Sequence, residues 1–342
     1  MSGNDDMTIQ EQGASFVRTE SGDVVVELRA HPRQPVDAGE LRVQPQYIGI
    51  CGTDLEILHD RMPENFDTRL PHTLGHEWSG IVVETGPGSD GFAIGDRVLG
   101  HGHMGGNDWF GATHDGAASD SFVIAAHMCH HVPAGVDLLT AAIIEPFACV
   151  LQGFQKAGGV TAGDTVHVYG LGAIGLAAVI HCVTVGARVV AFDLSPLRRS
   201  RAIELGCEAA LDPRDVGKAE RDALGLADLV LEASGARAAQ ASALESAAPR
   251  GRVLLMGLSR PTETDARLSL IVERDLTVLS SVGAPTDIWE PAIRYVDRAR
   301  IDLGRIVTST LPLSRVHEAF DRAQDAQNEI KVMLRPDGAD AR

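Results

Sequence analysis

Lysine is nearly missing from this chain: it stands only at positions 156, 218 and 331. Acidic residues number 47 against 30 for lysine and arginine together, and the formal net charge is −17. Phosphate backbones are bound by basic faces, so this balance excludes a nucleic-acid partner. No apolar run reaches the ~20 residues that cross a bilayer, so no membrane span is expected. The opening residues, Met1 to Met7, are polar and acidic, with neither a basic stretch nor an apolar core of the secretory kind. Cysteine is sparse and odd in number, five in all, at 51, 129, 149, 182 and 207. Those wide spacings exclude a disulfide framework and point to a reducing compartment, so a soluble cytoplasmic protein is expected. Aromatics make up only 4% of the residues. Together with the preference for arginine, this is a compositional bias without bearing on chemistry.

What is present is ordinary globular material, 44% hydrophobic and 23% charged. That excludes a disordered, collagen-like or coiled-coil protein. At roughly 100–200 residues per domain, 342 residues suggest two domains or three. No internal repeat or low-complexity tract is visible. Residues 1–15 read as a solvated tail. From Phe16 to about Glu145 short apolar runs such as Val24–Leu28, Leu41–Val43 and Ile81–Glu84 alternate with Gly and Pro turns, the pattern of a β-rich half. After Gly163 the rhythm becomes strand–helix–strand. Strands are predicted at Thr165–Tyr169, Arg188–Asp193, Asp228–Leu231, Arg252–Met256 and Leu276–Leu279. Helices are predicted at Ala173–Val185 and Pro196–Leu205. Strands alternating with helices imply a doubly wound parallel sheet. Past Trp289 come two helical stretches, near 290–300 and 314–326, and a last strand at Ile330–Leu334.

Gly170-Leu171-Gly172-Ala173-Ile174-Gly175 is a G-x-G-x-x-G placed between a predicted strand and a predicted helix, the context that gives this weak pattern meaning. The first glycine suits a tight turn, the second a close approach to a pyrophosphate, the third helix–sheet packing. Asp193 ends the next strand about 20 positions on, where an acid accepts hydrogen bonds from the ribose of NAD and repels the 2′-phosphate of NADP. Arg198 and Arg199 stand nearby; Arg198 is a candidate cofactor contact, and a solvated basic helix face is the plainer reading of both. NAD is the expected cofactor.

A second constellation is Cys51-Gly52-Thr53-Asp54 with Gly75-His76-Glu77, and Glu145-Pro146 is a third piece. Thiolate, imidazole and carboxylate are the donors a catalytic zinc uses with one position left open. Spread from 51 to 145, they are not shown to converge by spacing alone.

These motifs in this order, with Gly95-Asp96-Arg97-Val98 and the closing Ile306–Val332 segment, resemble the zinc-dependent medium-chain dehydrogenase/reductase family from about Pro35 to Pro336. The resemblance implies a GroES-like, β-rich catalytic domain with a Rossmann domain inserted into it. The implied division is 1–148 plus 290–342 for the first and 149–289 for the NAD-binding second, with the active site in the cleft between them. It further implies Cys51 and His76 as zinc ligands, Asp54 orienting the histidine from behind, and Thr53 starting a proton relay. Position 56 holds Glu where many members have His or Tyr, so Glu56 is a candidate relay or substrate contact. The Ile144-Glu145-Pro146-Phe147 setting resembles the sorbitol and glucose dehydrogenase branch, in which carboxylates matching Glu77 and Glu145 share the metal's shell directly or through water; Cys149 is the rival third ligand. Many members carry a second, structural zinc on four close cysteines. Leu99–Asp120 has no thiol and instead holds His101, His103 and His114, so one catalytic zinc per chain and no structural zinc are expected. The implied activity is hydride transfer between NAD and a secondary alcohol or ketone, namely a sugar, polyol or (amino)cyclitol, by a homodimer or homotetramer that pairs its nucleotide domains near Leu276–Val282. The alternatives are a zinc-free quinone or enoyl reductase of the same superfamily, or a non-catalytic NAD-binding protein.

Overall fold

The structure, a computed structural model, describes residues 9–63, 66–258 and 263–338, with all their side chains except those at 218 and 221. The described chain divides into two compact units. One holds the residues up to Glu145 together with Ser309–Gln324 and the chain from Val332; the other holds Pro146–Thr308 and Asp325–Lys331.

The first unit is β-rich. Its strands are β1 (Gln10–Arg18), β2 (Val24–Pro32), β3 (Glu40–Gly49), β4 (His72–Thr73), β5 (Glu77–Thr85), β6 (Arg97–Gly100), β7 (His103–Gly105), β8 (Asp108–Trp109), β9 (Phe122–Ala125) and β10 (Cys129–His131). A short helix α1 (Gly52–Leu58) follows β3, and α2 (Leu138–Ala142) precedes α3 (Ile144–Lys156). One sheet runs β2-β1-β4. Residues 1–8 of the expected solvated tail lie outside the described residues, but Gln10–Ser15 are not tail: they form most of β1, paired with β2 and burying Ala14 and Phe16. The residues before Phe16 read as tail because Gln10, Glu11, Gln12 and Ser15 are polar, yet Glu11 and Ser15 are buried in the strand.

The second unit carries β11 (Thr165–Tyr169), β12 (Arg188–Phe192), β13 (Ala209–Leu211), β14 (Ala227–Glu232), β15 (Ala247–Leu255) and β16 (Thr277–Ser280). Between them run α4 (Ala173–Thr184), α5 (Pro196–Glu204), α6 (Lys218–Leu224), α7 (Arg237–Ser246) and α8 (Ser269–Glu273), followed by α9 (Trp289–Ala299). All neighbours in this sheet are parallel, in the order β13-β12-β11-β14-β15-β16. That is the 3-2-1-4-5-6 order of the Rossmann fold. Val166, Val168, Val189–Ala191 and Leu229–Leu231 are buried in continuous runs, because helices cover both faces of a parallel sheet.

The C-terminal segment returns to the first unit. β17 (Val307–Pro312), α10 (Val316–Gln324) and β18 (Lys331–Arg335) close the chain, and β18 pairs with β3, Leu334 opposite Ile48. The larger sheet reads β10-β6-β5-β3-β18-β17, with β9 also on β3. Phe320, Val332 and Leu334 share one core with Phe16, Leu41 and Trp78. The expected return at residue 290 is corrected: residues 290–308 stay with the Rossmann unit, as do 146–148. Helix packing decides this. α9 buries Trp289, Ala292, Ile293 and Val296, one face at helical spacing. Tyr295 stacks on Phe147 and lies 3.2 Å from His181 Nδ1, both in the same unit.

Two buried imidazoles make stability depend on pH. Burial, the largest cause in each case, pushes His101 and His167 down to about 4. Folding therefore keeps them neutral where the unfolded chain would protonate them. Their contribution is complete above the ordinary histidine range and is lost as pH falls toward 4. A drop from pH 7 to 5 should cost about 2 kcal/mol per imidazole. The melting temperature should fall over that interval, and His167→Phe should flatten the fall; an unchanged slope in the variant contradicts this account.

Candidate metal centre and cofactor crevice

The pairing of β3 with β5 gathers the metal donors. Gly49 lies opposite Glu77. Cys51 follows just beyond Gly49, and His76 just precedes Glu77, so the two sequence pieces meet where the strands end. Cys51 caps α1, and its backbone N–H donates to Asp54 Oδ2 at 2.7 Å. Donor atoms of Cys51, His76 and Glu77 all lie within 4.8 Å of one another. Among the described residues this is the group of three or more such side chains that could hold a metal ion. Glu77 is 1% exposed and Asp54 fully buried. Asp54 Oδ1 is 3.8 Å from His76 Nδ1, behind the donor cluster. Burial works against a charged His76, yet Asp54, then Cys51 and Glu145, hold its pKa well above the ordinary value. The same negative potential favours a cation among these donors. One thiol, one imidazole and one carboxylate form a donor set that fits zinc.

The other expected residues fall out as follows. Thr53 Oγ1 lies 3.9 Å from Cys51 Sγ. Glu56 accepts a hydrogen bond from Arg61 at 3.1 Å, so one of its oxygens is held by an ion pair on the same helix end. Glu145 lies outside the three-residue cluster, and its charge still reaches His76. Cys149, a turn later on α3, belongs to the other compact unit. The histidines of Leu99–Asp120 go to separate partners: His114 to Asp108 at 3.1 Å, His103 edge-on to Trp109, and His101 beside His130.

In the Rossmann unit, the strand order reverses between β11 and β14, which is where such sheets open a crevice for a dinucleotide. Gly170 has φ +89°, and a Cβ there would sit 2.7 Å from Ser234. A Cβ on Gly175 would stand 1.8 Å from Gly170 O, so α4 packs against the turn only without one. Gly172, by contrast, faces open space. It caps α4, whose first-turn N–H groups at Ala173, Ile174 and Gly175 are the anion-binding end of a helix. Asp193 Oδ2 accepts from Leu171 N at 2.7 Å and Oδ1 from Ser195 N at 2.8 Å, fixing the carboxylate against the glycine turn. Arg198 donates from Nε and Nη2 to Glu329 O at 3.1 and 2.9 Å. Arg199 is likewise engaged, by Asp193 O, Leu194 O and Asp212.

Sequence reasoning missed Glu232. It ends β14, and its Oε1 accepts from Ser234 N, Ser234 Oγ and Gly235 N. It therefore shapes the loop that abuts Gly170. Burial raises its pKa, against the lowering effect of those bonds. The signal was a lone acid closing an apolar strand before Ser-Gly, a place where a solvent-facing acid would serve no fold.

Comparison with known proteins agrees with this geometry. Residues 37–134 match the alcohol dehydrogenase GroES-like domain and residues 173–298 the zinc-binding dehydrogenase domain. The chain is 30% identical over 341 residues to the 2-dehydro-3-deoxy-L-galactonate 5-dehydrogenase of Pseudoalteromonas atlantica, covering 94% of this chain and 97% of that protein. The chain belongs to the zinc-dependent medium-chain dehydrogenase/reductase family. Another member, the sorbitol dehydrogenase of Halalkalibacterium halodurans, is 29% identical over 346 residues, covering 94% of this chain and 99% of that protein. Among solved structures, a zinc-binding dehydrogenase from Sinorhizobium meliloti 1021 bound to NADP superposes with a TM-score of 0.86 at 25% identity, over 96% of this chain and all of that one. This medium-chain dehydrogenase is thus an oxidoreductase that acts on a small molecule with a nicotinamide cofactor and zinc. Its fold is the inserted Rossmann sheet and GroES-like unit. No helix among the described residues is long and apolar enough to cross a membrane.

Proposed function

We propose that this enzyme transfers a hydride between NAD and a secondary alcohol of a polyhydroxylated substrate, a sugar, polyol or (amino)cyclitol. The observation that carries the reading is the Cys51–His76–Glu77 cluster, whose carboxylate-bearing donor set departs from a purely thiolate and imidazole shell. The polyol and sugar-acid activities named for the two relatives support the substrate class. When bound, zinc supplies a Lewis acid for the substrate hydroxyl and the nicotinamide a hydride acceptor.

The chain's own residues do the rest. Cys51, His76 and Glu77 hold the metal, with Glu145 adding negative charge and acting directly or through water. Asp54 orients His76 and sustains its basicity, as carboxylates behind metal-bound histidines do. The Thr53 hydroxyl passes the substrate proton outward, and Glu56 receives it or contacts a further hydroxyl. Gly170, Gly172 and Gly175 let the backbone approach the pyrophosphate on the Ala173–Ile174 helix end. Asp193 meets the adenosine ribose and disfavours a 2′-phosphate; the commitment of Arg198 and Arg199 to other partners supports NAD over NADP. The unit containing Cys51 and His76 is the catalytic domain and the Rossmann unit the NAD-binding domain.

The same reading assigns one zinc per chain, since Leu99–Asp120 carries no thiol for a structural site. It also assigns a homodimer or homotetramer formed along β16, an edge strand that bears exposed Val278 and is followed by exposed Val282. All five cysteines are free thiols, which suits the cytoplasm. The metal cluster argues against the zinc-free reductase alternative. The test is a panel of sugars, polyols, cyclitols and aminocyclitols with NAD or NADP, read as reduced-nicotinamide absorbance. Turnover of at least one class, favouring NAD, is expected. Activity confined to quinones or enones would overturn the reading.

A further inference from the structure

Three glycine turns of the Rossmann unit meet around one buried carboxylate. Glu232 is the last residue of β14 and is fully buried. It lies opposite Tyr169, the residue before the Gly170 turn, where the strand order reverses. Sheets of this kind bind ligands outside the carboxyl ends of their strands at that point. The turns that follow β11, β14 and β15 all stand at those ends.

Glu232 bonds to two of these turns, and the third packs on them. Its Oε1 accepts from Ser234 N at 2.8 Å, Ser234 Oγ at 2.5 Å and Gly235 N at 2.9 Å. Its backbone oxygen accepts from Met256 N at 2.8 Å and Gly257 N at 3.2 Å. Ala233 N donates to Tyr169 O at 2.8 Å, which sets Ser234 against Gly170. The contacts leave little room for movement. A Cβ on Gly257 would stand 2.1 Å from Gly235 N and 2.8 Å from Glu232 Oε2. One on Gly235 would stand 2.0 Å from Leu258 O. A displaced Ser234 would therefore alter the space at Gly170.

The other carboxylate oxygen, Oε2, is buried with no partner among the described residues. A polar atom left so is costly, and a fold seldom tolerates one without a reason. Bonds to a charged acceptor are the strong ones, and here they converge from one short turn. The turn they fix is not core material: Ser234 is exposed, while the carboxylate that holds it is buried. A buried anchor for an exposed turn at the mouth of a ligand crevice is suited to placing that turn for a ligand.

We propose that Glu232 is a positioning residue for the nicotinamide cofactor. It does not touch the dinucleotide; it holds the Ser234–Gly235 turn where the Gly170 turn beside it stays open to the pyrophosphate. The assignment rests on the reading that the Gly170–Gly175 turn receives the dinucleotide.

The test is NADH binding to the zinc-loaded full chain, followed by nicotinamide fluorescence. Glu232→Leu removes the acceptor and should weaken binding by about tenfold or more, the sum of several hydrogen bonds. Ser234→Ala removes one bond from an exposed residue and should weaken it by about threefold to tenfold. Glu232→Gln keeps an acceptor oxygen of the same reach and should stay within about threefold of the parent. Zinc content should be parental in all three, and the melting temperature parental in Ser234→Ala and Glu232→Gln. Parental affinity in Ser234→Ala overturns the proposal, and this variant decides even if Glu232→Leu does not fold. So does a loss in Ser234→Ala that comes with a fallen melting temperature, which marks a role in stability alone, or an equal loss in Glu232→Gln and Glu232→Leu. Gly172→Val separates the proposal from the reading beneath it. Parental affinity there removes the glycine turn as the dinucleotide site; loss there with parental affinity in the Ser234 and Glu232 variants leaves that site standing and removes the role of Glu232.

Discussion

Cys51→Ser should strip the enzyme of bound zinc and reduce turnover by about a hundredfold or more. The scale follows from metal-site behaviour in general: losing a group that merely orients a ligand costs about tenfold to a hundredfold in metal affinity or activity, and Cys51 is proposed as a ligand itself. Three features make the loss specific to the metal. Cys51 is only half-buried at the cap of α1, so the change removes little packing. The hydrogen bond from its backbone N–H to Asp54 is untouched by a side-chain exchange. Serine offers a hydroxyl of similar size but a far harder, more basic donor than thiolate. The melting temperature of the metal-free protein should therefore barely move while zinc content and turnover collapse. Asp54→Asn should give a milder version, because it leaves all three donors and removes the charge 3.8 Å behind His76. Wild-type turnover with retained zinc in Cys51→Ser would remove this cluster from the reaction.

Gly172→Val should abolish dinucleotide binding without unfolding the Rossmann unit. A Cβ at Gly172 meets nothing within 4 Å, and its backbone, φ −69° and ψ −166°, is open to any residue. No strain or clash in the protein opposes the change. A bound pyrophosphate must come against that same backbone, where a branched side chain now stands. NADH affinity, followed by nicotinamide fluorescence, should fall about tenfold or more, with the melting temperature preserved. Gly175→Val is the contrasting case. Its Cβ would lie 1.8 Å from Gly170 O, so stability itself should drop. If Gly172→Val bound NADH as tightly as the parent, the glycine turn would not be the pyrophosphate site.

How much of this was legible in the sequence depends on whether a signal is local. β11, α4 and α5 begin where Thr165, Ala173 and Pro196 were expected to begin them, because a glycine turn and a proline start write element ends into neighbouring residues. Helix α9 was visible as a helix, yet its unit was not. That depends on what Tyr295 and Val296 pack against, which no local pattern states. The metal donors show the same limit. Cys51 and His76 were recognisable by motif, but only the β3–β5 register, Gly49 opposite Glu77, brings them together and selects Glu77 for the cluster over Glu145. Arg198 is a candidate cofactor contact by its place near the second strand, while its bond to Glu329 O, from the far end of the chain, is invisible to any local pattern. Glu232 stayed hidden because its role is to hold a loop, and that role exists only once β14 lies beside β11.

The most direct measurement of the central claim is the zinc content of the purified, metal-replete protein, by elemental analysis per chain. The cluster of Cys51, His76 and Glu77, with no cysteine in Leu99–Asp120, predicts about one zinc per chain. No zinc would remove the Lewis acid from the reaction, and about two would require a second site that the thiol-free segment does not provide; either result contradicts the account.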